Sequence, residues 1–305
     1  MSASHRATIH LEDAEVLEVE EWPGRQYVMR LVAPKCAAHA RAGSFAHVTC
    51  DPSVPMRRPL SLMRAEPSTG VIELLFKIVG EGLALLARRR PGETVSVLGP
   101  IGRPFVPSPG RSRPLLIGGG VGIPPIVFLA ESLATRAAAC RPLVLMGSEI
   151  PFPFAAAAAR SPVLGLADEV DAAMPLMESL GVPSRLASAA GFPGCYRGFV
   201  TGLGREWLQN LSADELASVE IFACGPEPML AATARLAREY GLPCQVSLEE
   251  FMACAVGGCA GCTVRVVTPE GPAMKRVCVD GPVFAAETVF PWQGVEKASG
   301  GAMRR

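Results

Sequence analysis

Leu115-Leu-Ile-Gly118-Gly119-Gly120-Val-Gly122-Ile-Pro124-Pro125 runs from an apolar tripeptide through a glycine loop into a helical pattern. Glycines there let a pyrophosphate approach the backbone, and the helix start offers free N–H donors. The spacing from Gly120 is G-x-G-x-x-P, not the G-x-G-x-x-G of the ordinary dinucleotide fingerprint, so a plain strand–helix turn stays open as an alternative. A second stretch repeats the plan. Phe222-Ala-Cys224-Gly225-Pro226-Glu-Pro228-Met229 ends a strand over 221–223 and opens an amphipathic helix over 228–240. With a strand over 114–117, a helix reaching 139 and a strand over 142–146, strands alternate with helices. That pattern predicts a doubly wound parallel sheet with helices on both faces. Ligands of such sheets sit at the carboxyl ends of strands. Gly118, Gly119, Gly120, Gly122, Pro124, Cys224, Gly225 and Pro226 are therefore the candidate nucleotide residues. Cys224 would lie near a nicotinamide, with a buried core thiol as the plainer reading. Glu149 is a candidate for the adenosine ribose, with an exposed loop carboxylate as its alternative.

Upstream, short β-rich runs over 7–19, 26–32, 44–50, 59–63, 71–79 and 94–98 are punctuated by Pro, Gly, Asp and Ser. Their spacing predicts a barrel or sandwich, with a helix over 83–89. In Arg57-Arg58-Pro59-Leu60-Ser61-Leu62 a fixed guanidinium suits a bidentate phosphate contact. Ser61 would serve a ring edge; an exposed edge strand is the alternative. Leu75-Phe76-Lys77-Ile-Val-Gly80-Glu-Gly82-Leu83 offers a cation and then a glycine turn into a helix, a second pyrophosphate seat. Residues 151–204, rich in Ala, Pro and Gly, show no clear pattern.

Downstream, Cys254-Ala-Val-Gly-Gly-Cys259-Ala-Gly-Cys262 is followed after fifteen residues by Cys278. C-x4-C-x2-C…C is the spacing of plant-type [2Fe-2S] ligands. Three thiolates come from one tight loop and the fourth from a returning strand. Gly257, Gly258 and Gly261 would let the loop curl and aim N–H groups at sulfur. Val264, Val266 and Val267 would form one hairpin arm, Gly271-Pro272 the turn, and 276–278 the return. A four-thiolate structural zinc site remains open, although it more often uses paired C-x2-C knuckles. Cys36, Cys50, Cys140, Cys195 and Cys244 read as ordinary thiols.

Bulk properties agree with several modules. The chain has 305 residues, 49% of them hydrophobic, and 29 basic against 29 acidic residues give no net charge. Nucleic acid is not an expected partner. No apolar run matches a secretory signal or a spanning helix, so a cytoplasmic place is expected. Ten cysteines in a reducing compartment direct attention to metal or redox chemistry. His5, His10, His39 and His47 read as structural or exposed.

Together, Arg58-Pro59-Leu60-Ser61, Gly80-Glu81-Gly82, Gly118 to Pro125 and Cys224-Gly225-Pro226 resemble the ferredoxin–NADP reductase superfamily. The flanks narrow this. Ser247-Leu-Glu-Glu-Phe-Met-Ala-Cys254 through Cys262, and Val277-Cys278-Val-Asp280-Gly281-Pro282-Val283-Phe284, resemble the electron-transfer subunit of the two-protein, NAD-linked dihydroorotate dehydrogenase. The likeness spans roughly residues 7–290. It implies an antiparallel FAD-binding β-barrel over 1–110, an NAD-binding α/β domain over 111–242 and a [2Fe-2S] module over 243–305. It implies FAD held by Arg58, Pro59, Leu60, Ser61, Leu75, Phe76, Lys77, Gly82 and Leu83, and a cluster on Cys254, Cys259, Cys262 and Cys278. It also implies an FMN-bearing partner that oxidises dihydroorotate in pyrimidine (UMP) biosynthesis, joined as a heterotetramer, and no catalytic side chain on this chain. Leu83 departs from the usual Thr, and Ala255 from the usual Gly. A relay subunit serving ferredoxin, a hydrogenase or sulfur reduction is the nearest rival. A zinc-stabilised nucleotide-binding module without redox activity is the rival of another kind.

Overall fold

The computed structural model describes residues 8–135 and 140–291. Ala7 of the first expected strand, residues 136–139 of the expected helix, His5, and residues 1–7 and 292–305 of the outer modules lie outside them.

Six antiparallel strands close a barrel. They are β1 (His10–Trp22), β2 (Gln26–Val32), β3 (Phe45–Val48), β4 (Arg58–Glu66), β5 (Val71–Lys77) and β6 (Thr94–Ile101), in the order β1-β2-β5-β4-β3-β6. Alternation drives closure. Met29, Leu31, Ile72, Leu74 and Phe76 are fully buried, while their sequence neighbours Arg30 and Glu73 pair with each other in a salt bridge on the outer face. A closed sheet leaves no edge to pair with other chains. Helix α1 (Pro34–His39) covers one end, where the Glu12 carboxylate accepts the Lys35 and Cys36 N–H groups at the helix start. Helix α2 (Glu81–Leu86) follows β5 and starts two residues before the expected 83.

The second sheet carries β7 (Arg113–Gly119), β8 (Leu143–Gly147), β11 (Ser184–Ala187), β12 (Val219–Cys224) and β13 (Cys244–Ser247) in parallel. A short antiparallel strand, β16 (Val283–Ala285), ends the order β11-β8-β7-β12-β13-β16. The central strands are apolar on both faces. Leu116, Val144, Met146 and Phe222 face one core with α3 (Ile123–Ala134). Leu115, Ile117, Leu145 and Ile221 face the other with α5 (Val200–Gln209) and α7 (Glu227–Glu239). Within 151–204 the chain makes a two-stranded ladder of β9 (Ala157–Ala158) and β10 (Ala172–Ala173), helix α4 (Pro175–Ser179), all of β11 and the first residues of α5. Helix α6 (Ala213–Ala217) starts on a capping box made by Ser212 and Glu215.

The barrel and the sheet share one continuous core, in which Leu60 and Leu62 of β4 lie with Ile126 and Phe128 of α3. Arg64 of β4 reinforces this seam with two-pronged hydrogen bonds to Glu131 of α3, the shorter 2.7 Å. Buried Gln26 donates to the carbonyls of Pro23 and Pro151, tying the same two bodies.

The cysteine segment is stitched into both bodies. Strands β13 and β16 belong to the large sheet, so that sheet continues past residue 242. The parallel register of β13 with β12 and the burial of Cys244 and Val246 require it. Between them lies the hairpin of β14 (Thr263–Thr268) and β15 (Gly271–Arg276). The turn falls on Pro269-Glu270, not on Gly271-Pro272, because Thr268 already pairs with Gly271 and its hydroxyl donates to the Gly271 carbonyl. Cys278 follows the returning strand on a helical turn, α8 (Val277–Asp280), and α9 (Ala286–Val289) closes the described chain. No helix among the described residues is long and apolar enough to cross a membrane.

Candidate functional site

The four cysteines of the tail meet as two pairs. Cys262 and Cys278 bring their Sγ atoms to 3.3 Å in a buried position. Cys254 Sγ accepts the N–H groups of Gly258 at 3.2 Å and Cys259 at 3.4 Å, and Cys259 Sγ accepts that of Gly261 at 3.4 Å. Burial pushes the Cys254 thiol up, but the Cys259, Val256 and Gly258 N–H donors and the Cys259 side chain outweigh it, bringing it down to about 6. Burial and the neighbouring Cys262 push Cys278 up to about 12. Arg276 locks the loop by donating to the Gly257 carbonyl, and the Asp280 carboxylate accepts the Arg276 N–H. Among the described residues no three His, Cys, Asp or Glu side chains converge on a single ion site. A C-x4-C-x2-C loop with a fourth thiol paired to its last cysteine fits a group with two irons, each needing two thiolates. Sequence reasoning found all four cysteines but missed the Arg276–Asp280 lock.

The loop carries a cost. Ala255 and Ala260 sit at φ +56° and +57°, the left-handed region that disfavours a Cβ. Ala255 is buried against the cluster core, so its methyl returns part of that cost. Ala260 is exposed and returns nothing. Ala260→Gly is expected to raise the stability of the loaded chain by about 0.5–1 kcal/mol, the left-handed cost less glycine's unfolded-state entropy. The change in thermal midpoint checks it.

The expected flavin residues lie on β4, β5 and the start of α2. Ser61 and Phe45 are direct partners across β4 and β3. Pro59, Ser61 and Lys77 are half-buried, whereas Leu60 and Phe76 turn into the barrel core, so only their main chains remain for a ligand. Leu75 is also buried. Arg57 is spent on the fold: it donates to the His47 and Ser96 carbonyls and to the Ser96 hydroxyl. Arg58 bonds the Met56 and Arg57 carbonyls through Nη1 only. Its Nη2 lies 3.1 Å from where a Cβ on Gly82 would stand. A side chain at 82 would therefore fill a cradle made by the guanidinium and the α2 start, a place shaped for a phosphate. Leu83 packs its side chain in the core, so only its main chain remains for a ligand.

The two glycine turns meet at the switch point of the sheet, where β7 and β12 lie side by side with Gly118 opposite Cys224. A single 3-10 turn over Gly120–Gly122 leads into α3, with Pro124 in its first turn where no N–H is needed. A Cβ on Gly122 would overlap the main chain of Cys224 and Gly225, and one on Gly119 would overlap Met229, with Pro226 also close by. In front of Gly120, at φ +54°, there is open space. Cys224 is fully buried. Burial and then the Glu249 carboxylate hold its thiol well above the ordinary range, with Ser247 hydrogen bonding in opposition. Ser247 and Glu249 were not singled out from the sequence, although the Ser247-to-Cys262 flank contains them. Glu149 is exposed just beyond β8.

Comparison with known proteins shows the family. Residues 249–290 match the model of the iron-sulfur cluster binding domain of dihydroorotate dehydrogenase B. In the solved structure of an NADH-dependent reduced ferredoxin-NADP oxidoreductase, a similar chain superposes with a TM-score of 0.72 at 25% identity, covering 90% of this chain and 89% of that one. A ferredoxin reductase of carbazole 1,9a-dioxygenase shares the fold with a TM-score of 0.56 at 20% identity, over 77% and 67% of the two chains. The dihydroorotate dehydrogenase B (NAD(+)) electron transfer subunit of Desulforamulus reducens is 33% identical over 288 residues, 93% of this chain and 97% of that one. That of Bacillus caldolyticus is 35% identical over 269 residues, 87% and 93% of the two. With the paired thiols, the Arg58 cradle and the twin glycine turns in one chain, this protein belongs to the family of dihydroorotate dehydrogenase B (NAD+) electron transfer subunits.

Proposed function

We propose that this chain relays electrons from an FMN-bearing dihydroorotate dehydrogenase subunit to NAD+, for pyrimidine synthesis in the cytoplasm. Dihydroorotate is oxidised on the partner, and the two kinds of subunit form a heterotetramer. The observation that supports it best is the adjacency of the three places. Phe45 of β3 shares a core with Met252, Cys262 and Cys278 and pairs with Ser61 of β4; β4 in turn packs on α3, which begins at the glycine loop. When bound, the cluster supplies one-electron transfer and the flavin converts it to hydride transfer to NAD+.

The chain's own residues bind and orient. Cys254 and Cys259 would hold one iron, and Cys262 and Cys278 the other. Arg58 with the Gly82 and Leu83 N–H groups would hold the FAD pyrophosphate, while Ser61 and the strand over 75–77 would line the ring. Gly118 to Gly122 and Gly225-Pro226 would seat NAD, with Cys224 at the nicotinamide end. No side chain of this chain needs to act as acid or base. Arg58→Gln is expected to weaken FAD binding about tenfold to a hundredfold, since a charged hydrogen bond is worth about 1.5–3 kcal/mol. Flavin released on dilution, read by its fluorescence, checks this.

The direct test is co-purification with the FMN subunit and assay of dihydroorotate-dependent NAD+ reduction. NADH formation supports the reading. An assembled pair that makes none, but reduces NAD+ from reduced ferredoxin, would transfer the chain to the rival relay.

A further inference from the structure

Gly257 and Gly258 share one peptide unit, and both ends of it are in use. Its carbonyl accepts Arg276 Nη1 at 2.8 Å, and its N–H donates to Cys254 Sγ at 3.2 Å. A cation thus lies one peptide away from the first thiol of the loop. Hydrogen bonds in series polarise one another, so the guanidinium strengthens the N–H donor on the far side of that peptide.

The cation is held more firmly than the peptide. Arg276 ends β15, where it pairs with Thr263 of β14. The Asp280 carboxylate accepts its N–H at 2.8 Å and lies 3.8 Å from its Nε. Gly257 presses on this return. At φ +83°, a Cβ there would stand 2.5 Å from Val279 Cγ2 and 3.4 Å from Arg276 Nη1. The peptide has a glycine on each side, and Gly258 is exposed. Its flanking torsions are soft, so it can turn over unless its carbonyl is tied. A flip would replace the donor at Cys254 by a carbonyl dipole of opposite sign. The Arg276 and Asp280 side chains are 38% and 24% exposed and carry opposite charges, so their field at a distance is weak. What Arg276 does to Cys254 runs through the hydrogen bonds.

We propose that Arg276 is a positioning residue for the cluster: by clamping the 257–258 peptide it keeps that N–H on the Cys254 sulfur and holds up the reduction potential of the loaded site. This rests on the reading of the four cysteines as [2Fe-2S] ligands. One added electron puts more negative charge on the sulfurs, and a fixed donor favours that state over the oxidised one. Arg276 itself neither gains nor loses a proton or an electron.

The test uses the full chain loaded with FAD and cluster, as wild type, Arg276→Gln and Arg276→Lys. Arg265→Gln, which removes an exposed cation from β14 of the same hairpin, is the control for charge alone. The reduced-state magnetic resonance signal is titrated against potential, and hydrogen exchange of the 256–260 amides is read on the oxidised samples. Arg276→Gln should disfavour the reduced state on the order of tenfold, ~59 mV for one electron, and should exchange faster. Arg276→Lys keeps the charge but loses the Nε contact with Asp280, so it should shift the same way by less. Arg265→Gln should match the wild type in both readouts, and NADH should reduce the flavin in all four. An Arg276→Gln variant with the wild-type potential would overturn the assignment. So would an Arg265→Gln shift as large as that of Arg276→Gln. If Arg276→Gln does not take up the cluster, Arg276→Lys decides, and identity with the wild type in potential and exchange would overturn it. A wild type without the signal would defeat the cluster reading, and the assignment with it.

Discussion

Cys278→Ser is expected to give a folded chain that binds FAD and is reduced by NADH, yet has no iron–sulfur signal. With the FMN subunit present, NADH formation from dihydroorotate should fall on the order of a thousandfold, to baseline, because the carrier chemistry belongs to the cofactor. The reason lies in the pairing. Cys278 Sγ is buried 3.3 Å from Cys262 Sγ, and the Val277 N–H is fixed on the Cys262 carbonyl. A serine hydroxyl does not ionise near neutral pH and cannot replace a thiolate. Cys244→Ser is the matched control. That thiol is equally buried, on β13 in the other core, and its loss should leave the cluster signal intact. Iron content and the reduced-state magnetic resonance spectrum read both variants.

Gly122→Ala should remove nucleotide binding and much of the stability. The added methyl would stand inside contact distance of the Cys224 carbonyl and the Gly225 nitrogen, and main chain at the centre of a sheet does not yield as a side chain tip does. Overpacking of this kind costs about 3 kcal/mol, with more expected where backbone must shift. NADH affinity should fall about a hundredfold, as the crevice opens by displacement of one glycine turn from the other. Gly120→Ala offers the contrast. Its methyl meets open space and pays only the left-handed cost of about 1 kcal/mol. Thermal midpoints and NADH titration of the two variants separate close approach from backbone conformation.

These candidate sites stand out in the sequence because their chemistry is local. The glycine runs, the Arg58-to-Ser61 strand and the cysteine spacing each announce themselves within a dozen residues. The elements 26–32 and 71–77 also followed from alternation, because one face of each is core. Residues 184–187 did not. β11 begins Ser184-Arg185, and its buried arginine is tolerated only because the Ser184 and Ser161 carbonyls accept from it, a partner 24 positions away. Distance in sequence hid the rest as well. Nothing near Arg64 points to Glu131. The turn at Pro269-Glu270 was misplaced because Gly271-Pro272 carries the stronger turn composition, while cross-strand register decided otherwise.

The flanks of the cysteine loop carried more than its spacing. Spacing alone left a zinc site standing. The folded chain divides the four thiols into two pairs and ties the loop to the return through Arg276 and Asp280. That arrangement suits two metal atoms, each held by two thiolates.

Anaerobic titration of the loaded chain with NADH tests the relay most directly, with flavin and iron–sulfur absorbance followed together. The account predicts that both bands bleach within the same titration, since one chain would hold nucleotide, flavin and cluster on adjoining elements. A colourless, zinc-containing protein, or a flavin that bleaches while the iron–sulfur band stays unchanged, would contradict it.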